Sequence, residues 1–474
     1  MRYRVDLLLV VALTLASGAC WAGITPAFQK TDETAHFAYV QAVAELGHPP
    51  RQFVDTGLLS AELTCWYNGL EITRYRFFTE ERPPWAPPLR SSLDHTCKGL
   101  SPRYDGAMYQ AFQPPAYYLL AAGGYKLASA FALPTRLLFA RMVSVILIAI
   151  AVALTYLLVL ELVPGSRWAA RAAALALALQ PILMFNESGV NPDALDLTIM
   201  AAIALVTARA WRRGLSTSRA LAFGALTGLG VLSKVNFLTL LPSIALLALA
   251  LWWAGDPSQR LLRAKRLALG GVLALALFGL YALVNHSLWH RGLTYRQAAL
   301  HSHGGGSIHR LLDFTWQFFL PRLPGTQPLF SGYLPVWHDL LEGITTRLGW
   351  WNDYGFDRWA PVLVAIGVAL AIAAACYVWP RARRRPWPAL IVAAAAILFL
   401  VSLILADYQY SLANGDEFEG RYIVAAMPLW GLLVGCAVAA ARPRWRGILT
   451  GLLAALFLAH TVIALTTTIN RFYL

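Results

Sequence analysis

Asp32, Glu33 and His36 lie within five residues of one another, at the point where the first apolar segment of this 474-residue chain gives out. A carboxylate within reach of a hydroxyl can act as a general base, a contribution worth roughly 10²–10⁴-fold. Further acids follow Asn191-Pro192: Asp193, then Asp196, one helical turn on and on the same face. Three cations complete the set. Arg141 and Arg421 each open an apolar segment, and Lys234 is the lone charge between two apolar stretches. Carboxylates beside fixed cations suit a reaction in which an acceptor hydroxyl loses its proton while a phosphate leaves. The developing negative charge then falls to Lys, Arg or a metal. A plainer reading stands beside each residue. Thr31 can cap a helix whose first turn carries Asp32 and Glu33, and Asp193 can be a simple helix start after Pro192. The cations can be structural ion pairs or can snorkel to the interface.

The elements that must position these residues are membrane helices. The chain is 58% hydrophobic and only 14% charged, the balance of a membrane protein. Its net charge of +14 is spread in short basic runs between apolar segments, which is an orientation signal rather than a nucleic-acid footprint. No Walker loop, zinc-finger spacing or dinucleotide fingerprint is present, so no domain for a nucleotide or nucleotide-sugar is visible. The expected fold is an all-α polytopic membrane protein of about eleven transmembrane helices, with interfacial helices in the first outer loop. The first span runs from Val5 to Gly23 after a basic start. It resembles a signal peptide but is read as a retained anchor because a polytopic chain follows. The other spans are placed at 141–162, 171–187, 194–211, 219–234, 237–254, 267–285, 361–379, 388–406, 423–441 and 446–468. Residues 114–133 are read as lying in the outer interface. If they crossed, the arginine clusters at 167–171, 212–213, 260–266, 381–385 and 442–446 would all move outside, against the positive-inside rule.

On this count Asp32, Glu33, Glu187 and Asp193 all fall at outer helix ends, where an acid avoids the ~2.5–3.5 kcal/mol cost of mid-bilayer. Ala35–Ala44 reads as a short interfacial helix stopped by Gly47 and Pro49-Pro50. Two modules are expected: 1–235, with outer loop 24–140, and 236–474, with outer loop 286–360. The second loop is expected to carry surface-lying helices near lipid headgroups. Cys65 and Cys97 share the first loop and can pair if that loop faces an oxidising compartment. Cys20, Cys376 and Cys436 read as ordinary membrane-helix residues. The run from His301 to His309 has the residues to ligate a metal, but a flexible surface loop fits it better.

Taken in order, these segments resemble the GT-C superfamily of polytopic glycosyltransferases. Asp32-Glu33 followed by His36 is similar to its first-loop motif. Gln113-Pro114-Pro115-Ala116-Tyr117-Tyr118 is similar to its HPPLYY-like segment, with Gln in place of His. Arg141-Met142-Val143-Ser144 resembles an Arg-x-x-Ser helix start, and Asn191-Pro192-Asp193 resembles the second-loop acid. Gly228–Lys234 resembles a Gly-Leu…Lys segment; Glu419-Gly420-Arg421-Tyr422 with Pro428 resembles the GRY…P segment of a bacterial branch. The resemblance implies a bacterial inner-membrane enzyme with its active site on the periplasmic face. Its donor would be a polyprenyl-phosphate-linked sugar, and the transfer would invert the sugar carbon. The acceptor would be a glycolipid, cell-wall polymer or protein, with a divalent cation (Mg or Mn) required in some members. It makes Asp32 the base, with Glu33 and Asp193 as further acids, and His36, Arg141, Lys234 and Arg421 as substrate ligands. Gln113 and the insertion carrying Cys65 and Cys97 depart from the pattern. The alternative is a transporter or flippase of lipid-linked sugars, although such proteins usually carry mid-membrane charges and duplicated halves, neither of which is seen here. A catalytically dead scaffold is a third reading, against which the intact Asp32-Glu33 pair argues.

Overall fold

A computed structural model of the chain describes residues 2–50, 60–77, 81–100, 109–291, 307–326, 387–414 and 420–474, with Leu329 and short pieces between 347 and 377. Among them, eight helices are long and apolar enough to cross a membrane. They are Tyr3–Ile24, Leu133–Leu162, Asp193–Arg213, Val235–Trp253, Pro257–Ser287, Leu390–Gln409, Tyr422–Ala440 and Pro443–Phe472. One further helix pair is apolar enough when taken together but bent: Arg167–Ala178 and Pro181–Glu187 meet at 55°, the geometry of a broken span or a re-entrant loop. Pro181 causes the break, because it has no N–H to donate and turns the preceding residue away from helix. The Gln180 side chain caps the new helix at the Leu183 N–H, 2.8 Å away. The expected span at 219–234 is the shorter helix Thr217–Val231, and 361–379 falls largely outside the described residues. The architecture is all-α, with one two-residue strand pair among the described residues, Arg347–Leu348 against Tyr354–Gly355.

Helix Ala116–Leu127 has 12 residues. At 1.5 Å per residue it reaches about 18 Å, well short of a ~30 Å hydrocarbon core, so it cannot cross. It lies instead against Leu133–Leu162, where a Cβ on Gly124 would stand 2.6 Å from the Phe139 carbonyl oxygen. Such small-residue contacts let helix backbones approach closely where no hydrophobic force separates helix from lipid. Gly224 and Gly270 do the same between Thr217–Val231 and Arg260–Ser287.

The described basic clusters gather at one end of the bundle. Arg171 pairs with Asp6 near the start of the first helix, and Arg209, Arg212 and Arg213 converge on Glu161. The Arg266 guanidinium donates to the Leu215 carbonyl at 2.6 Å. Arg446 stands one turn from Thr450, whose hydroxyl reaches the Trp168 carbonyl beside Arg167. The acids Asp32, Glu33, Glu187 and Asp193 lie at the opposite end, beyond Ile24 and at the start of Asp193–Arg213.

At that end the first loop is built from Glu33–Leu46, Ala61–Gly69, Ile72–Phe77 and Pro87–Cys97. Cys65 and Cys97 form a disulfide that ties the second of these helices to the fourth. Arg136 fastens the loop to the bundle. It pairs with Glu62 and donates to the Tyr125 hydroxyl at 2.5 Å, and that hydroxyl donates in turn to Glu45 at 2.5 Å. Helix Glu33–Leu46 is covered by protein over residues 33 to 43, chiefly by Ala116–Leu127. The sequence, a short run stopped by Gly47 and Pro49-Pro50, reads as an interfacial helix; that protein also covers it is owed to neighbours far along the chain.

Candidate active site

The site forms where the first helix ends. Asp32, rather than Thr31, stands at the N-cap of Glu33–Leu46, with a left-handed backbone (φ 56°) and no capping bond from its side chain. Phe28 is left-handed too, at φ 63°. Two non-glycine residues so placed within five positions indicate a strained backbone held by its surroundings, a pattern that clusters at functional sites. Thr31 points instead to Asn186, with its hydroxyl 3.5 Å from Oδ1.

Glu33 and Arg141 hold that backbone. Arg141 donates Nε and Nη2 to the two Glu33 oxygens at 2.7 and 2.5 Å. It also donates to the carbonyls of Ala22, Thr25 and Pro26 at 2.7–2.9 Å. The same carboxylate accepts from the Phe28 and Val190 N–H groups, each at 3.2 Å. All three guanidinium nitrogens and both carboxylate oxygens are thus engaged. The sequence reading put Glu33 among the acids and Arg141 among the ligands; the structure brings them together as a knot joining the first helix, the 25–33 turn and the 186–190 turn.

Lys30 is buried beside this knot, its ammonium nitrogen 2.6 Å from Ser188 Oγ and over the Phe185 ring. Burial pushes its pKa well below the usual lysine range. Nearby Arg141 pushes the same way, against Glu33 and Glu187. Gly189 makes room for it, since a Cβ there would meet Lys30 Cδ at 2.8 Å and Glu33 Oε1 at 3.1 Å.

The second half of the site is Asp193 with Lys234. The lysine Nζ donates to both Asp193 oxygens at 2.7 and 2.8 Å, and the Tyr422 ring centre is 5.0 Å from it. The Asn191 side chain accepts the Asp193 N–H at 3.1 Å, a local turn that starts the helix. Asp196 accepts from the hydroxyl of Ser233, the neighbour of Lys234, so it faces the same region. Arg421 lies in the 3₁₀ segment Gly420–Ala426, next to Tyr422; its side chain is outside the described residues, as are His301, His303 and Arg381 to Arg385.

Tyr117 and Tyr118 join the halves. The Tyr117 hydroxyl is 2.7 Å from Ser144 Oγ and accepts the Asn191 N–H at 2.8 Å. Tyr118 bonds His36 Nδ1 at 2.8 Å and stacks on Tyr39 at 3.7 Å. Its hydroxyl pKa is pushed well above the usual range, first by burial, then by Tyr39, Tyr117 and the charges of Asp193 and Asp32. Burial pushes the Tyr39 hydroxyl up to about 12, opposed by Arg291, whose guanidinium is 3.3 Å away. Gln113 accepts the Val235 N–H at 3.0 Å, tying the Pro114-Pro115 turn to the lysine segment.

Sequence reasoning did not single out Lys30, Tyr118 or Arg291 as site residues. Two tyrosines after Pro114-Pro115 in an apolar segment were a usable signal; Lys30 and Arg291 had none, being ordinary loop cations until the fold buries them. The described residues do not suit a cation: no three His, Cys, Asp or Glu side chains converge, and Glu33 and Asp193 spend their oxygens on Arg141 and Lys234.

One family model, described as a predicted membrane protein family (DUF2142), matches residues 15–430. The chain belongs to the DUF2142 family. Among curated proteins, none matches it in sequence. Among solved structures, this DUF2142 protein is similar to ArnT from Cupriavidus metallidurans bound to undecaprenyl phosphate, at 16% identity and a TM-score of 0.51. The match covers 94% of this chain and 62% of that one, so the protein spans less than two thirds of the ArnT chain. AglB from Archaeoglobus fulgidus, in complex with an inhibitory peptide and a dolichol-phosphate, matches at 12% identity and a TM-score of 0.49, over 98% of this chain and 56% of that one. The likeness to ArnT is one of fold, and the all-α, GT-C-like polytopic fold expected from the motifs is the fold of this DUF2142 protein.

Proposed function

We propose that this DUF2142 protein is an inverting glycosyltransferase that moves a sugar from a polyprenyl-phosphate carrier to an extracytoplasmic glycolipid, cell-wall polymer or protein. The observation that carries this reading is the buried Lys234, held by both Asp193 oxygens, in a site that Tyr117 and Tyr118 tie to the helix following Asp32 through the Asn191 N–H and His36. A buried ammonium is a seat for the phosphate that leaves, and a carboxylate beside it can receive the acceptor's proton.

In the proposed step Asp32 takes the proton of an acceptor hydroxyl, whose oxygen attacks the sugar carbon bonded to phosphate. That carbon–oxygen bond breaks with inversion, and the phosphate keeps the electron pair, balanced by Lys234 and Arg421. Asp193 holds the Lys234 ammonium until the phosphate arrives. His36 and Tyr118 orient the acceptor side, while Glu33 and Arg141 keep the Asp32 backbone in its left-handed turn. The first 235 residues supply the acids and most of the cations, and the second module supplies Arg421 and Tyr422. The disulfide in the first loop supports a site on the oxidising, periplasmic side of an inner membrane, since such bonds persist there and not in the cytosol.

The decisive experiment compares wild type with Asp32→Asn in liposomes supplied with lipid-linked sugars and acceptor extracts, read by mass analysis of the products. Wild type should form a new glycosidic bond and the variant should not, with its melting temperature unchanged. Product formation by Asp32→Asn would remove Asp32 from its role. Unmodified substrate crossing sealed vesicles would turn the reading to transport.

A further inference from the structure

Helix Ile308–Phe319 presents two apolar faces where a soluble element would present one. One face is seated: Phe314 and Phe318, each 1% exposed, pack with Ile404 and Tyr408 on the helix Trp387–Asn414. The other is open. Ile308 is 64% exposed and Leu312 59%, with Trp316 and Phe319 partly so. At 3.6 residues per turn these four fall within about 80° of arc. His309 and Asp313 lie beside that stripe, so the helix has a seated face, an apolar face and a polar edge.

Two observations indicate what covers the open face. It continues the outward surface of Trp387–Asn414, where Leu390, Ile397, Val401 and Leu405 are exposed along a helix apolar enough to cross a membrane. Leu405 is one turn from Tyr408, on which Ile308–Phe319 sits. In addition, the Trp316 indole N–H is satisfied internally, donating to the Pro321 carbonyl at 3.1 Å. With that bond made, the ring can enter lipid without leaving a polar group unpaired.

We propose that Ile308–Phe319 is a lipid-inserted interfacial helix whose Ile308–Leu312–Trp316–Phe319 stripe is covered by acyl chains of the leaflet on the active-site side. Such a helix rests about 5–10 Å into the boundary between headgroups and acyl chains. Insertion has a consequence for the site. Ile423 packs against the cluster made by this helix, and its neighbour Tyr422 lies over Lys234. The leaflet therefore braces the Gly420–Ala426 segment at the level of the lysine.

The test uses the full chain in lipid nanodiscs. Cys20, Cys376 and Cys436 are replaced by Ala, the disulfide is left intact, and an environment-sensitive fluorophore is placed on Leu312→Cys, Trp316→Cys or Asp313→Cys. Lipids carrying a nitroxide near the top of the acyl chain should quench the probe strongly in the first two variants and weakly in the third. Aqueous iodide should do the reverse. Iodide quenching of the Leu312→Cys and Trp316→Cys probes would overturn the proposal. So would shielding from both quenchers, which would mean that protein, such as a second copy, covers the face. Using two apolar sites guards against one variant failing to fold. The measurement needs no turnover, so its failure and that of the proposed transfer are separable.

Discussion

Replacing Glu33 by Gln separates a structural acid from a catalytic one. The wild-type carboxylate takes two bonds from Arg141 and one each from the Phe28 and Val190 N–H groups, at a residue with no exposed surface. Gln keeps the shape but loses the charge, and its amide group sets N–H against the Arg141 donors. Arg141, 3% exposed, is left as a buried cation with carbonyl partners only. Removing one partner of a buried pair costs about 3–5 kcal/mol, a large share of a typical fold's ~5–15 kcal/mol margin. Glu33→Gln should therefore lower the melting temperature of the purified protein markedly and reduce transfer in proportion to the folded protein lost. Because Arg141→Met alone strands the carboxylate instead, Glu33→Gln combined with Arg141→Met should be less destabilised than the sum of the single losses. Heating detergent-solubilised protein and measuring the monodisperse fraction that survives gives all three values. The reasoning is refuted if Glu33→Gln melts like wild type, and a normally stable but inactive variant would return Glu33 to the chemistry.

Lys234→Gln and Arg421→Gln should each weaken polyprenyl-phosphate binding roughly tenfold to a hundredfold, the worth of one charge-assisted hydrogen bond; unchanged affinity in both, by titration calorimetry, would make them structural. Lys30 has a folded pKa well below its unfolded value, so the unfolded chain binds the extra proton between the two. The wild type should thus gain stability as pH rises through that window toward 10, and Lys30→Met should flatten the gain in melting scans. Tyr39, raised to about 12, costs stability only above pH 10, so the scans stop there. Reducing the Cys65–Cys97 bond, or replacing both cysteines by Ser, should remove about 2–4 kcal/mol from the first loop and expose residues 60–97 to limited proteolysis, with the spans protected.

Much of this protein could be read from local signals. The length and apolarity of each segment and the siting of its arginines set the polytopic all-α class and the placing of the acids and the described basic clusters at opposite ends of the bundle, because both depend on composition over about twenty residues. Of about eleven expected spans, eight described helices are long and apolar enough to cross, with one bent pair besides. That residues 114–133 lie in the interface was read from the siting of the arginines, and the 12-residue length of Ala116–Leu127 agrees with it. What the tertiary structure alone decided was which charge meets which. Arg141, 108 residues from Glu33, closes a structural knot where the sequence reading expected a ligand, whereas Lys234 meets Asp193 at a distance of 41 residues. Nothing local distinguishes these two cations: each opens or closes an apolar run. Asp32 rather than Thr31 stands at the helix cap, with Thr31 turned to Asn186, and helix Glu33–Leu46 is buried because Ala116–Leu127 packs over it. Membrane crossing is a property of segments, but a charge acquires its role from partners brought close only when distant segments pack.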